Sequence, residues 1–367
     1  MRTSLSLILF AGLSLAAICE KIRLPRIVGM IVSGILLGPF VLDLLDPQIL
    51  GISAELRKMA LIIILIRAGV SLDLSDLKKV GQPAVLMSFV PASFEILGYV
   101  LCAPLLLGVS RIEAAVMGAV LGAVSPAVVV PRMLRLMEEK RGTEKRIPHL
   151  IMAGASCDDI FVIVLFTTFA DMAQGGNARL LDFASIPVSI LLGVVIGAAF
   201  LLIAIEGWLK NRVAVSGLLA VVGMACVLEL KSPACVTRRL SEKFGKLWLA
   251  AEVILFVLVG AAVDIRYTLS AGIAAVAMIF IALAFRAAGV ALCLIGTPLN
   301  IRERLFCVIA YLPKATVQAA IGSVPLAMGL SCGSIVLSVA VLGILITAPL
   351  GALEIDLSYK KLLSKAG

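Results

Sequence analysis

Twelve apolar stretches alternate with short polar loops along the chain, at 3–18, 25–42, 54–72, 83–107, 111–137, 148–170, 183–206, 212–230, 246–263, 267–295, 303–329 and 332–353. Most are about 18–28 residues long, enough for a helix rising about 1.5 Å per residue to cross roughly 30 Å of hydrocarbon. The pattern predicts an all-α polytopic membrane protein of about 12–13 transmembrane helices, with no sizeable soluble domain. The N-terminal MRTSLSLILFAGLSLAAIC has the charge and apolar run of a signal peptide, but no A-x-A cleavage pattern. Ala17-Ile18 before Cys19 is also a poor lipoprotein site, so a retained first spanning helix is expected.

Two stretches are interrupted in mid-course. The fifth reads VMGAVLGAVSPAVVVPRML, with Ser125-Pro126 at its middle and Pro131 beyond; the eleventh reads LFCVIAYLPKATVQAAIG, with Pro313-Lys314 at its middle. A mid-helix proline frees backbone carbonyls and amides. Lipid cannot satisfy those groups, so such breaks survive against protein or a wet cavity. Each break falls in the fifth stretch of a run of six, and paired interruptions in matching positions of two halves point to a transporter's ion site. The order divides the chain into an N-terminal repeat half at 1–170, a shortened linker region at 171–211 and a C-terminal repeat half at 212–367.

Charge refines this picture. Only 15% of the 367 residues are charged and 61% are hydrophobic, against about 25% charged in a soluble protein. The net charge of +9 sits in short loops, where a positive-inside bias puts it, so no nucleic-acid partner is expected. The eight cysteines form no C-x-x-C pair and read as core-filling residues. With the N-terminus outside, the loop at 132–147 faces the cytoplasm with six basic and three acidic residues, and the loop at 171–182 faces out. Counting onward leaves the basic loop at 231–246 on the wrong side. One additional crossing between 183 and 212 would restore the bias, and an odd intervening helix would also invert the two halves. Segment 183–209 is too short for two spans.

The candidate chemistry centres on AGASCDDIFVIV. Asp158 and Asp159 lie about ten residues from either end of the sixth stretch, near the bilayer midplane, where an ionisable group is by default functional. Protons and metal cations would compete there for the same oxygens. Permanent pairing with cations is the structural alternative, but adjacent helical residues point about 100° apart and do not easily share one partner. Glu95 and Arg286 occupy corresponding fourth and tenth stretches and would neutralise each other as an ion pair. Lys314, at the second break, is expected to pair with one aspartate while the cation is absent. Ser125 offers a hydroxyl beside freed carbonyls at the first break. Arg67 and Asp264 read as interfacial, Glu252 is harder to read that way and the sequence does not say what it pairs with, and His149, the only histidine, reads as a loop residue in preference to a pH sensor.

AVSPAVVVPRML, GASCDDIFVIVLF, LWLAAEVILFVLVGAAVDI and AYLPKATVQAAIGSVPLA resemble the sodium/proton antiporters of the cation/proton antiporter superfamily, most closely the NHA branch shared by bacteria and animals. The similarity runs from about residue 5 to 355. It implies crossed broken helices (Pro126 and Pro313 marking the breaks) in a mobile core domain, a separate dimerisation domain, and elevator-like alternating access. It further implies that Asp158 and Asp159 exchange protons for Na⁺ or Li⁺, with Glu95, Arg286 and Lys314 as the charged set around them. Paired acids are associated in that superfamily with electrogenic exchange. Neighbouring branches often carry an acidic residue or threonine where Ser125-Pro126 stands, and relatives usually have thirteen or more helices, about one more than this chain.

The resulting expectation is a secondary-active monovalent cation/proton antiporter, not an enzyme. It would use no cofactor, would transport Na⁺ or Li⁺ against H⁺, and would sit as a homodimer in a bacterial cytoplasmic membrane. The alternatives are a cation channel and a transport-inactive or regulatory membrane protein one helix short. A channel would show a continuous polar lining, whereas the ionisable residues here cluster at one depth.

Overall fold

The computed structural model describes residues 2–22, 24–70, 81–175 and 234–365, with Met224, Leu228 and Ser232. The stretches at 183–206 and 212–230, the linker region and the question of helix parity lie outside the described residues. The rest forms helices α1 (Arg2–Lys21), α2 (Arg26–Leu37), α3 (Pro47–Gly51), α4 (Ser53–Val70), α5 (Gln82–Met87), α6 (Val90–Leu107), α7 (Arg111–Leu121) and α8 (Pro126–Glu138). It continues through α9 (Ile147–Ala173), α10 (Ala234–Ala261), α11 (Ile265–Cys293), α12 (Ile301–Ala310), α13 (Thr316–Ile321), α14 (Val324–Ala327) and α15 (Gly333–Leu362). Among the described residues there is no β-strand, only an isolated antiparallel bridge between Arg141 and Lys365. Among the described residues, seven helical spans are long and apolar enough to cross a membrane, and two shorter apolar helices accompany them.

Three elements differ from the hydropathy pattern. The fourth stretch is not one helix: it breaks at Ser88–Phe89 between α5 and α6. Pro91, the second residue of α6, has no N–H and biases the residue before it away from helical geometry. The ninth stretch begins earlier than its apolar residues, because Arg238, Arg239, Glu242, Lys243 and Lys246 are helical within α10, not a loop. Arginine, lysine and glutamate are good helix formers, so a helix readily runs on past its apolar part. The last stretch likewise continues to Leu362.

One local device occurs twice along the chain. α6 is followed by Gly108, with φ +67°, and a capping box in which the Ser110 hydroxyl accepts from the Glu113 N–H while Glu113 accepts from the Ser110 N–H. α11 is followed by Gly296, with φ +80°, and the equivalent Asn300–Glu303 box. Each box starts a short helix that stops after about three turns, at Leu121 and at Ala310. Glycine avoids the Cβ clash of a left-handed turn, and the reciprocal cap satisfies amides that a helix start leaves free.

Helices α1, α2, α4 and α10 pack together on one side, and α6, α7, α9, α11, α12 and α15 on the other. Within the first group, a Cβ on Gly34 would collide with the Val257 carbonyl, and one on Gly260 with the Ile31 carbonyl, so α2 and α10 cross backbone to backbone. At one end of the second group a strap closes the chain. The Gly142 N–H donates to the Ser364 carbonyl at 2.9 Å, Arg141 caps the Lys360 and Leu363 carbonyls, and Arg132 pairs with Asp356 at 3.2 Å. The guanidinium carbons of Arg135 and Arg141 and the Lys360 ammonium each lie 5.7 Å from the centre of the Tyr359 ring.

Candidate functional site: two helix breaks around a buried charge cluster

Between α7 and α8 the chain unwinds over 122–125, and between α12 and α13 over 311–315. Pro126 takes the first position of α8, where a missing N–H costs nothing, so the break lies before the proline instead of around it. Pro313 sits within its own break. The two breaks meet: the Ser125 N–H donates to the Pro313 carbonyl at 2.8 Å. α15 holds the second break from behind. The Lys314 N–H donates to the Thr347 hydroxyl at 2.9 Å, and the Pro313 ring lies where a Cβ on Gly351 would go.

Asp158 and Asp159, in the middle of α9, lie beside this crossing and are both buried, Asp158 fully. Asp158 Oδ2 accepts from the Val124 N–H of the first break at 2.9 Å and from Arg286 Nη2 at 2.7 Å. Arg286 arrives from α11 and makes three further bonds. Its Nη1 donates to Glu95 Oε2 at 2.9 Å and to the Gly122 carbonyl, and its Nε donates to the Tyr311 carbonyl at 2.6 Å. One guanidinium thereby satisfies carbonyls freed by both breaks and joins two acids, a task that its fixed fork of donors suits. The Tyr311 ring lies 5.2 Å from the guanidinium carbon, and the Tyr311 hydroxyl donates to the Met87 carbonyl at the end of α5.

Glu95 and Arg286 thus face each other from α6 and α11. Lys314 is placed differently from expectation: its Nζ donates to Glu95 Oε2 at 2.5 Å, and it is Arg286 that holds Asp158. Glu95, Arg286 and Lys314 are all buried. Taking three charges out of water is tolerable because each is paired and hydrogen-bonded.

Several buried oxygens at the crossing make no hydrogen bond among the described residues: Asp158 Oδ1, Asp159 Oδ1, the Ser125 hydroxyl and the Thr316 hydroxyl. Buried polar atoms in proteins are nearly always partnered. A set of carboxylate and hydroxyl oxygens is what a hard monovalent cation prefers, and neither sulfur nor imidazole is among them. Among the described residues no cluster of three or more His, Cys, Asp or Glu has the arrangement of a resident metal site. Glu252 in α10 is half-buried, as is Asp264 just before α11, and Arg67 lies in α4. His149 is in the first turn of α9, not in a loop.

Sequence reasoning missed Thr316, Gln318 and Thr347. All three are buried, and Gln318 bonds to both breaks. The signal for the first two was present as polar residues two and four positions after the Pro313-Lys314 dipeptide, inside an otherwise apolar stretch. Thr347 carried no signal, since a lone threonine in an apolar helix is ordinary.

The family described as "Sodium/hydrogen exchanger, transmembrane" matches residues 5–209 and 194–355. Human sodium/hydrogen exchanger 9B2 is 34% identical over 378 aligned positions, which take in 93% of this chain and 70% of that protein. Human sodium/hydrogen exchanger 9B1 is 32% identical, over 93% of this chain and 73% of its own length. The structure of the sodium proton antiporter MjNhaP1 from Methanocaldococcus jannaschii at pH 8 superposes with a TM-score of 0.79 at 22% identity, over 98% of this chain and 97% of that one. The 9B2 alignment is longer than the share of the 367-residue chain within it, so the human protein carries a few tens of positions without a counterpart here. An all-helical polytopic membrane fold, a pair of interrupted helices and these matches over most of the chain have one reading: the chain belongs to the sodium/hydrogen exchanger family, as a multi-pass membrane transporter.

Proposed function

We propose that the chain exchanges Na⁺ or Li⁺ for protons by alternating access, with Asp159 as the carboxylate that changes occupant. The carrying observation is the unequal treatment of the two aspartates. Asp158 is held through Oδ2 by Arg286 and the Val124 N–H, whereas Asp159 Oδ1 is buried without a hydrogen-bond partner. A cation at Asp159 would draw further oxygens from Asp158 Oδ1, Ser125 and Thr316, and a proton there would displace it. Competition for one site couples the two fluxes, provided the loaded carrier changes its exposure. Elevator-like movement of the group bearing α7, α8, α9, α12 and α13 against α1, α2, α4 and α10, in a homodimer within a bacterial cytoplasmic membrane, completes the proposal.

The crossing contains three acids, Glu95, Asp158 and Asp159, and two bases, Arg286 and Lys314. With four of these mutually paired, Asp159 is the one acid in excess, and it is neutralised by either a cation or a proton. This favours one-for-one exchange over the electrogenic mode associated with paired acids.

The test is proton flux in everted vesicles on addition of Na⁺ or Li⁺. Wild type should collapse a preset pH gradient, and Asp159→Asn, present in the membrane at equal level, should not. Equal responses would sink the reading, and flux that never saturates with Na⁺ would indicate a channel. A second reading, a transport-inactive membrane protein, is favoured by the positions this chain lacks relative to 9B2. A silent but membrane-inserted wild type would support it.

A further inference from the structure

Gln318 is fully buried, the third residue of α13, and it bonds to both breaks at once. Its Oε1 accepts from the Ala315 N–H at 2.8 Å. Its Nε2 donates to the Ala123 carbonyl at 2.8 Å and more loosely to the Leu121 carbonyl at 3.4 Å. The partners fix which way the amide faces: a flipped amide would set donor against donor at Ala315 and acceptor against acceptor at Ala123.

The Ala123 carbonyl and the Val124 N–H are the two ends of one planar peptide. The far end of that peptide donates to Asp158 Oδ2 at 2.9 Å. A continuous chain of donors and acceptors therefore runs from the Ala315 N–H through the Gln318 amide and the Ala123–Val124 peptide to Asp158. Hydrogen bonds in such a chain polarise one another, and a peptide held at one end has its other end aimed. Filling the orphaned backbone groups would by itself explain a buried glutamine. It does not explain why the peptide Gln318 holds is the one that donates to Asp158.

We propose that Gln318 is a positioning residue for the cation site: through the Ala123–Val124 peptide it sets the direction and strength of the hydrogen bond that Asp158 receives. The inference rests on the exchange reading above. Because Asp158 Oδ1 is among the oxygens offered to the cation, a loosened Asp158 would weaken cation binding before it slowed the carrier.

Two variants test this in vesicles at several pH values. Gln318→Leu removes both bonds and should raise the Na⁺ concentration at half-maximal flux by about three- to tenfold at every pH, with the maximal rate per inserted molecule within about twofold of wild type. Gln318→Glu is the sharper case. Protonated, it keeps an acceptor for Ala315 and an O–H donor for Ala123; ionised, it has no donor left for Ala123. Its half-saturating Na⁺ should match wild type at low pH and rise relative to wild type as pH increases. A ratio that stays at one across the pH range overturns the inference. So does a Gln318→Leu protein that loses abundance or thermal stability while half-saturation per molecule is unchanged. If Gln318→Leu fails to insert, the Glu variant decides alone. A wild type present in the membrane without Na⁺- or Li⁺-dependent proton flux removes the exchange reading and this inference together. An active wild type with unaltered Gln318 variants removes only the inference.

Discussion

Glu95 shows how a single residue decides the state of several. Its Oε2 accepts from both Arg286 and Lys314, and all three side chains are buried. Glu95→Gln would leave Arg286 with Asp158 and the buried Lys314 without a carboxylate, and breaking a buried pair this way costs about 3–5 kcal/mol. The expected outcome is a clear loss of thermal stability in detergent, partly recovered in Glu95→Gln/Lys314→Met, where the unpaired ammonium is gone as well. An equal loss in the single and double variants would show that Lys314 needs no partner. The sequence was informative about which charges matter, because an ionisable residue in an apolar stretch is conspicuous. It was silent on who pairs with whom: Lys314 was expected against an aspartate, but Arg286 reaches both acids from α11 and leaves Lys314 to Glu95. Pairing depends on side-chain reach across a crossing, and no spacing along the chain encodes that.

At the scale of elements, the two breaks were legible because proline is an unambiguous mark, and their matching places came from order alone. What hydropathy could not supply was where helices actually stop. The gap between α5 and α6 is not visible in hydropathy, because the apolar run continues through it and Pro91 falls in the first turn of α6, where a proline is harmless. The charged start of α10 looks like a loop in the sequence because charge favours water, although it carries no penalty for helix. The second break also leans on α15, and Gly351 is the contact. Gly351→Val places two methyls against the Pro313 ring and should displace the 311–315 segment. Exchange should be lost, with a smaller loss of fold stability. As a control, Gly245→Ala, where a Cβ meets nothing within 4 Å, should leave both unchanged. The capping boxes give a milder test: Asn300→Ala should cost about 1 kcal/mol in a thermal melt. It should not alter half-saturating Na⁺, because the cap lies at the far end of α12 from the break.

For the whole molecule, the excess of one acid at the crossing has an electrical signature. One-for-one exchange makes the carrier neutral in both directions, so clamping the membrane potential should not shift the Na⁺ gradient at which proton flux reverses. A reversal that moves with potential would show that a second proton travels, and would return Asp158 to the list of groups that change occupant. The number of crossings was the least legible global property. Twelve apolar stretches and the bias of charged loops disagree by one. Cysteine accessibility across 207–246 would show on which side that region lies.

The strap that joins the 141–142 turn to the chain's last described residues has a mechanical meaning. It ties the end of α15 to the turn that starts α9, the helix carrying Asp158 and Asp159, through the Gly142–Ser364 bond and the grip of Arg141 on the Lys360 and Leu363 carbonyls. Tension applied at Lys365 is therefore shared between two helices from the first ångström of extension. Pulled from that end in a force microscope, the protein should yield first in a short event that releases 363–365 from the turn. Only after that event should α15 be extracted alone, and Arg141→Ala should lower the force at which it occurs.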